Sequence, residues 1–217
     1  MSVTREKLSA NKYAEEAKEV SGVTVLTEAE RDATRLELLN EMEAGEDVWV
    51  FAYGSLIWNP AFHFAEKCQG RLYGYHRSFC LYSYFARGTP AIPGLALALD
   101  RGGSCQGMLF RIASDLVDSE TKVIWAREMF SGIYRPLWVR VRTGTGTTRA
   151  ITFVAERKRQ NYTGALPLKQ QAQIIARAQG QLGSCTDYLT ATVACLEELN
   201  IHDQGLSTLN KLVKSIS

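Results

Sequence analysis

Three features of the 217-residue sequence predict an α+β fold. From residue 48 to residue 154, short apolar, β-branched and aromatic runs alternate with glycine-containing joints, the pattern of strands and turns. One helical stretch, 114–129, interrupts them. From Pro167 onward the apolar residues recur at helical spacing. The sequence therefore reads as a central β domain with a helical arm before it and a helical tail after it. The boundaries fall at 1–46 for the arm and 47–217 for the main domain with its C-terminal helices.

Each element rests on its own signal. Residues 1–26 are polar with sparse apolar positions and read as an arm or a marginal helix. Thr27-Glu28-Ala29-Glu30 matches a capping box, and Leu36, Leu39 and Met42 follow at helical spacing until Gly45 stops the helix. Val48-Trp49-Val50-Phe51-Ala52-Tyr53 shows no polar alternation, so it predicts a strand buried on both faces. Gly54-Ser55 and Asn59-Pro60 break that run into a turn. Residues 69–75 and 78–83 are strand-like. Residues 95–99 and 106–112 flank Gly102-Gly103, which predicts a hairpin. Two more strands, 137–142 and 149–154, enclose a turn at Gly144-Thr145-Gly146. In the tail, Pro167 suits a first helical turn and Ser184 with Asp187 opens the next helix. Its predicted face is Tyr188, Leu189, Thr192, Val193, Leu196 and Leu199, and a last helix takes Leu206, Leu209, Leu212, Val213 and Ile216.

Composition narrows the function. Hydrophobic residues make up 46% of the chain, enough for one large core. The net charge of +2 gives no electrostatic reason to expect nucleic acid or an anionic membrane as partner. No apolar run reaches the length of a bilayer span, and residues 1–7 lack the apolar core of a signal peptide, so a cytoplasmic protein is expected. The five cysteines are irregularly spaced without Cys-x-x-Cys, and the three histidines are scattered, so no metal site is expected. Gly144-Thr145-Gly146 lacks the third glycine of a dinucleotide fingerprint and the lysine of a phosphate loop.

The candidate chemistry lies in two places. A buried strand that ends abruptly at Tyr53-Gly54-Ser55 leaves backbone amides without a strand partner, and successive free amides suit an anion or a polarised carbonyl. Taken alone, the same four letters fit an ordinary strand-to-turn transition. Glu128 ends an apolar helix beside Trp125, Met129 and Phe130. A carboxylate in such a setting is partly desolvated and holds a proton near neutral pH, which suits a general base or acid. A solvent-facing residue paired with a neighbouring arginine is the other reading. His63 and His76 read as structural, and no Gly-x-Ser-x-Gly elbow supports a serine nucleophile.

Residues 51–58, the Arg87-Gly88-Thr89 loop with Pro93-Gly94, and Trp125-Ala126-Arg127-Glu128 together resemble the ChaC-type glutathione-specific γ-glutamylcyclotransferases. The resemblance runs from Val48 through Asn161-Tyr162 and Gly164 into the C-terminal helices and leaves the arm outside. One departure is Ala52, where the family carries glycine. The resemblance implies a γ-glutamylcyclotransferase-like mixed β-barrel with surrounding helices. It also implies cleavage of glutathione, a small-molecule substrate, into 5-oxoproline and cysteinylglycine without cofactor or metal. By position, Glu128 matches the catalytic glutamate. Val50, Phe51, Ala52, Tyr53, Gly54, Ser55 and Leu56 match the substrate-holding loop, and Tyr162 matches a tyrosine near the substrate. Arg87 lies on a loop placed to meet a substrate carboxylate. Other γ-glutamyl amines as substrates, or a non-catalytic protein that binds γ-glutamyl compounds, are the alternatives.

Overall fold

The structure is a computed structural model and describes residues 3–216. Among these residues the chain forms a closed five-stranded barrel and seven α-helices. The arm contributes α1 (Arg5–Ser9), α2 (Lys12–Ser21) and α3 (Glu28–Leu39). The barrel strands are β1 (Val48–Ala52), β2 (Glu66–Ser83), β3 (Gly94–Ile112), β4 (Tyr134–Thr143) and β5 (Gly146–Ala155). A 3-10 turn at Ser114–Leu116 leads into α4 (Val117–Glu128). The tail carries α5 (Leu168–Arg177), α6 (Cys185–Glu198) and α7 (Gln204–Lys214).

β1 lies inside the sheet, antiparallel to β3 and parallel to β5, through Val50 opposite Phe110 and Ile151. This position explains its unbroken apolar sequence. Successive side chains point to opposite faces of a strand, and here each face meets a core. Phe51 packs in one cluster with Leu97, Leu99 and Leu109. Val48, Val50 and Ala52 pack in a second cluster with Phe110, Phe153 and Trp125 of α4. The Ala52 methyl is thus absorbed by the core on the α4 side.

The expected hairpin at Gly102-Gly103 does not form. β3 runs through it, and both halves of β3 pair with β2, from Glu66 opposite Arg111 to Ser83 opposite Gly94. The register slips between Tyr73 and Tyr75, where Gly74, Gly102 and Gly103 all have positive φ. The glycines bend one long ribbon, which lets it wrap into the barrel. Likewise, 69–75 and 78–83 are parts of one strand.

The capping box at Thr27 forms as the sequence predicts, but α3 ends at Leu39, six residues before Gly45. Leu36 is exposed, whereas Leu38, Leu39 and Met42 reach the core. The buried residues of α3 are Arg31 and Arg35. Arg35 pairs with Asp32 (2.7 Å) and Asp118 (2.9 Å) and donates to Thr121 Oγ1 (3.0 Å). Trp125 Nε1 adds a bond to Thr34 Oγ1 (3.0 Å). Helix α3 is therefore clamped to α4 by polar bonds as well as by apolar packing. Helical spacing alone does not reveal this.

The start of the arm is tied down by Arg5, whose Nη2 lies 2.8 Å from Glu120 Oε1 and whose Nη1 lies 2.5 Å from Oε2. The Glu120 side chain is 2% exposed and also accepts from the His63 amide (2.8 Å). Burial disfavours its charge, but the Arg5 and His63 bonds prevail and hold its pKa down at about 2, against an ordinary 4.5. A depressed carboxylate stabilises the fold above its unfolded pKa and loses that contribution as pH falls through the folded value. Glu120→Gln is therefore expected to lower stability at pH 7 by about 2 kcal/mol, after allowance for screening at the part-exposed Arg5. In urea titrations the gap to wild type should close between pH 4.5 and about 2.

Candidate active site

A cavity of about 850 Å³ opens beside the end of β1, the end of α4 and the arm. Its wall includes Ser55, Trp58, Arg127, Glu128, Tyr134 and Tyr188. Glu128 is the last residue of α4. The helix stops there because the Met129 amide closes the last turn on the Trp125 carbonyl and Gly132, at φ +64°, turns the chain away.

The Glu128 side chain is 13% exposed, and Arg127 Nε lies 3.2 Å from its Oε1. Among the described residues the carboxylate accepts no other polar contact. Burial raises its pKa above the ordinary value, and the Arg127 charge opposes that rise without cancelling it. The result is a carboxylate that faces a cavity, with one cation behind it and free acceptor sites in front.

Arg127 also holds the turn after β1. Its Nη2 donates to Ser55 Oγ (2.9 Å), and its Nη1 donates to the Asn59 carbonyl. The turn is compact, because the Ile57 amide bonds the Gly54 carbonyl and the Asn59 amide bonds the Ser55 carbonyl. Among the described residues, the amides of Gly54, Ser55 and Leu56 donate to no acceptor, as the strand-end reading expects. Gly54 is closely approached by two side chains. A methyl group there would meet Leu97 Cδ2 at 3.3 Å and the Tyr188 hydroxyl at 3.6 Å, while its φ is not in the left-handed region.

The other residues singled out from the sequence sit as follows. Val50, Phe51, Ala52, Tyr53 and Leu56 are buried, and of residues 50–56 Ser55 alone lines the cavity. The Tyr53 hydroxyl is spent on the Phe153 carbonyl (2.8 Å). Tyr162 is absent from the cavity wall. Its hydroxyl donates to Asp100 Oδ2 (2.8 Å) and accepts from Arg157 Nε (2.9 Å). Its neighbour Asn161 reaches the wall instead. Arg87 lines the cavity, with Nη1 on the Leu182 carbonyl (2.6 Å) and its guanidinium 4.9 Å from the Tyr188 ring centroid. Its Nε and Nη2 meet no acceptor among the described residues.

His63, His76 and the five cysteines are not part of the wall. Burial pushes the thiols of Cys80, Cys105 and Cys185 up to about 12, 11 and 11. They are poor nucleophiles. Sequence reasoning overlooked Arg127 as the connector and placed Tyr188 on a core face. Tyr188 does pack there, edge-on to Phe79, while its far end reaches the cavity.

A family model described as ChaC-like protein matches residues 48–216. The chain belongs to that family. It is 39% identical over 170 residues to the glutathione-specific γ-glutamylcyclotransferase of Escherichia coli K12, covering 78% of this chain and 74% of that protein. It is 30% identical over 173 residues to the glutathione-specific γ-glutamylcyclotransferase of Schizosaccharomyces pombe, covering 70% and 84%. The fold matches a crystal structure of a γ-glutamylcyclotransferase specific to glutathione from yeast. That match has a TM-score of 0.73 at 20% identity and covers 78% of this chain and 96% of the other.

Replacing Arg127 with methionine leaves burial as the main influence on Glu128. The carboxylate should then titrate at higher pH than in wild type, where it already titrates above 4.5. Carboxyl carbon NMR shifts of a selectively labelled protein would read both values. The same shift has a stability sign. The contribution of Glu128 is full below 4.5 and is lost as pH rises through the raised folded value. Glu128→Gln should lack that decline.

Proposed function

We propose that this protein is a γ-glutamylcyclotransferase that cleaves glutathione to 5-oxoproline and cysteinylglycine. One observation carries the mechanism: a buried carboxylate, Glu128, faces a cavity and is joined through Arg127 to a turn with unpaired amides. The cavity volume lies in the range of small-molecule sites.

The nucleophile is the substrate's own α-amine, so the protein needs no serine or cysteine for attack. Glu128 takes a proton from the α-ammonium. The freed amine attacks the γ-carbonyl carbon, and a C–N bond closes the five-membered ring while the carbonyl oxygen becomes an oxyanion. Glu128 returns that proton to the cysteinyl nitrogen, the original γ-amide C–N bond breaks and the carbonyl re-forms, and the ring nitrogen passes its second proton through Glu128 to the departing amine, leaving 5-oxoproline as the neutral lactam and cysteinylglycine as its ammonium form. No water is consumed.

Holding the γ-glutamyl chain folded in an attacking geometry can contribute up to ~7–11 kcal/mol in favourable systems. The free amides at Gly54, Ser55 and Leu56 are the donors available to the oxyanion or to the α-carboxylate. In this reading residues 50–56 serve the substrate by main chain and position, since most of their side chains are committed to the core. Arg87, with two nitrogens unengaged, suits a substrate carboxylate. Tyr162 acts at a distance, through the position it gives Asn161. The expected compartment is the cytosol, where unpaired cysteines remain thiols. No helix is long and apolar enough to cross a membrane.

Purified protein incubated with glutathione should release 5-oxoproline and cysteinylglycine in equal amounts, read by mass spectrometry. Glu128→Gln should lower kcat by ~10²–10⁴-fold with binding largely kept. Undiminished turnover by a folded Gln variant contradicts the assignment. Ser55→Ala removes an acceptor from Arg127 and should cost about tenfold in kcat/KM, since the amides remain.

A further inference from the structure

The family match begins at residue 48, yet part of the cavity wall lies upstream of it. Val3, Tyr13 and residues 21–24 line the same cavity as Glu128. The arm is fixed in that place by several bonds. Besides the Arg5–Glu120 pair, the Val3 carbonyl accepts from Asn59 Nδ2 (3.0 Å), and the Leu26 amide donates to the Phe130 carbonyl (2.7 Å). Arg31 adds a bond to Asn11 Oδ1 (2.6 Å) and links α3 to the start of α2.

Tyr13 is 5% exposed. Its ring stands edge-on to Phe85 (5.4 Å) and to Phe130 (4.9 Å), both residues of the cavity wall. This packing accounts for an aromatic ring and not for a hydroxyl, and phenylalanine would fill the space equally well. Among the described residues the Tyr13 hydroxyl has no hydrogen-bond partner, and the one fully buried side-chain polar atom without a partner is Ser131 Oγ, so the Tyr13 hydroxyl is not sealed off from the cavity its residue lines. The charged groups that act on it are Arg127, Glu128, Arg87 and Glu16. Three of the four, Arg127, Glu128 and Arg87, line the same cavity as Tyr13. Burial keeps it protonated, and it is therefore a donor.

We propose that the N-terminal arm is a working part of the active site and that the Tyr13 hydroxyl contacts the substrate, donating a hydrogen bond to a carboxylate or carbonyl oxygen of the γ-glutamyl compound held over Glu128. The inference rests on the glutathione reading above. It makes the arm, which lies outside the family region, a determinant of substrate affinity.

The test uses full-length protein. Tyr13→Phe keeps the ring and deletes the hydroxyl, so thermal stability and resistance of the arm to limited proteolysis should match wild type. Its KM for glutathione should rise about tenfold or more with a smaller change in kcat. Calorimetric titration with glutathione in the Glu128→Gln background, where turnover does not interfere, should show the same loss in Kd. Arg5→Ala loosens the arm from a distance and should raise KM in the same direction. Wild-type KM and Kd in Tyr13→Phe overturn this proposal while leaving the cyclotransferase reading intact. A wild-type protein that neither binds nor turns over glutathione overturns both.

Discussion

The guanidinium of Arg127 is the contact on which the site depends. It is buried, and three partners meet it: Ser55 Oγ, the Asn59 carbonyl and the Glu128 carboxylate. A buried cation costs several kcal/mol unless it is paired and hydrogen-bonded. Here the pairing joins two elements distant in sequence, the turn that ends β1 and the end of α4. The barrel sets one side of this contact and helix α3 the other. β1 is held between β3 and β5, and Arg77 Nε bonds the Tyr53 carbonyl at 2.6 Å just before the turn. α4 is held to α3 by Arg35 of α3, bonded to Asp118 and Thr121, and by Trp125 of α4, bonded to Thr34. With both supports rigid, Arg127 can sit behind Glu128 without neutralising its raised proton affinity.

That balance decides what Glu128 can do. With a stronger partner it would be a fixed anion and a poor proton donor. Without a partner it would hold its proton and be a poor base. Burial raises the proton affinity of the carboxylate, and the one cation, itself shared with the turn, opposes that rise. A single group that both takes and returns a proton needs both influences.

Much of this was legible in the sequence where the signal is local. The two-sided burial of β1 follows from its lack of alternation and the caps at Thr27 and Ser184 follow from their side chains, whereas Glu128, which from its helix position also reads as solvent-facing, is singled out by the resemblance. Features that depend on remote partners were not legible. Gly102-Gly103 gives the same local signal for a hairpin as for a bend in one long strand, and only the unseen partner β2 separates the two. Leu36 fits a helical face, yet the residues α3 buries are Arg31 and Arg35, whose partners Asn11, Asp118 and Thr121 lie elsewhere in the chain. Tyr162 is singled out by the resemblance alone, and the bonds of its hydroxyl to Asp100 and Arg157 carry no local sequence signal. Tyr13 lies in a polar segment that carries no motif, and its place in the cavity wall follows from how the arm docks.

The central claim is that Glu128 faces the reacting amine. A crystal structure of the Glu128→Gln protein with glutathione bound tests it most directly. The account predicts the γ-glutamyl end in the cavity, with its α-nitrogen within about 3 Å of the residue 128 side chain and its γ-carbonyl or α-carboxylate on the turn at Ser55. A glutathione bound in the reverse sense, with the cysteinylglycine end against residue 128 and the α-amine in solvent, would contradict it.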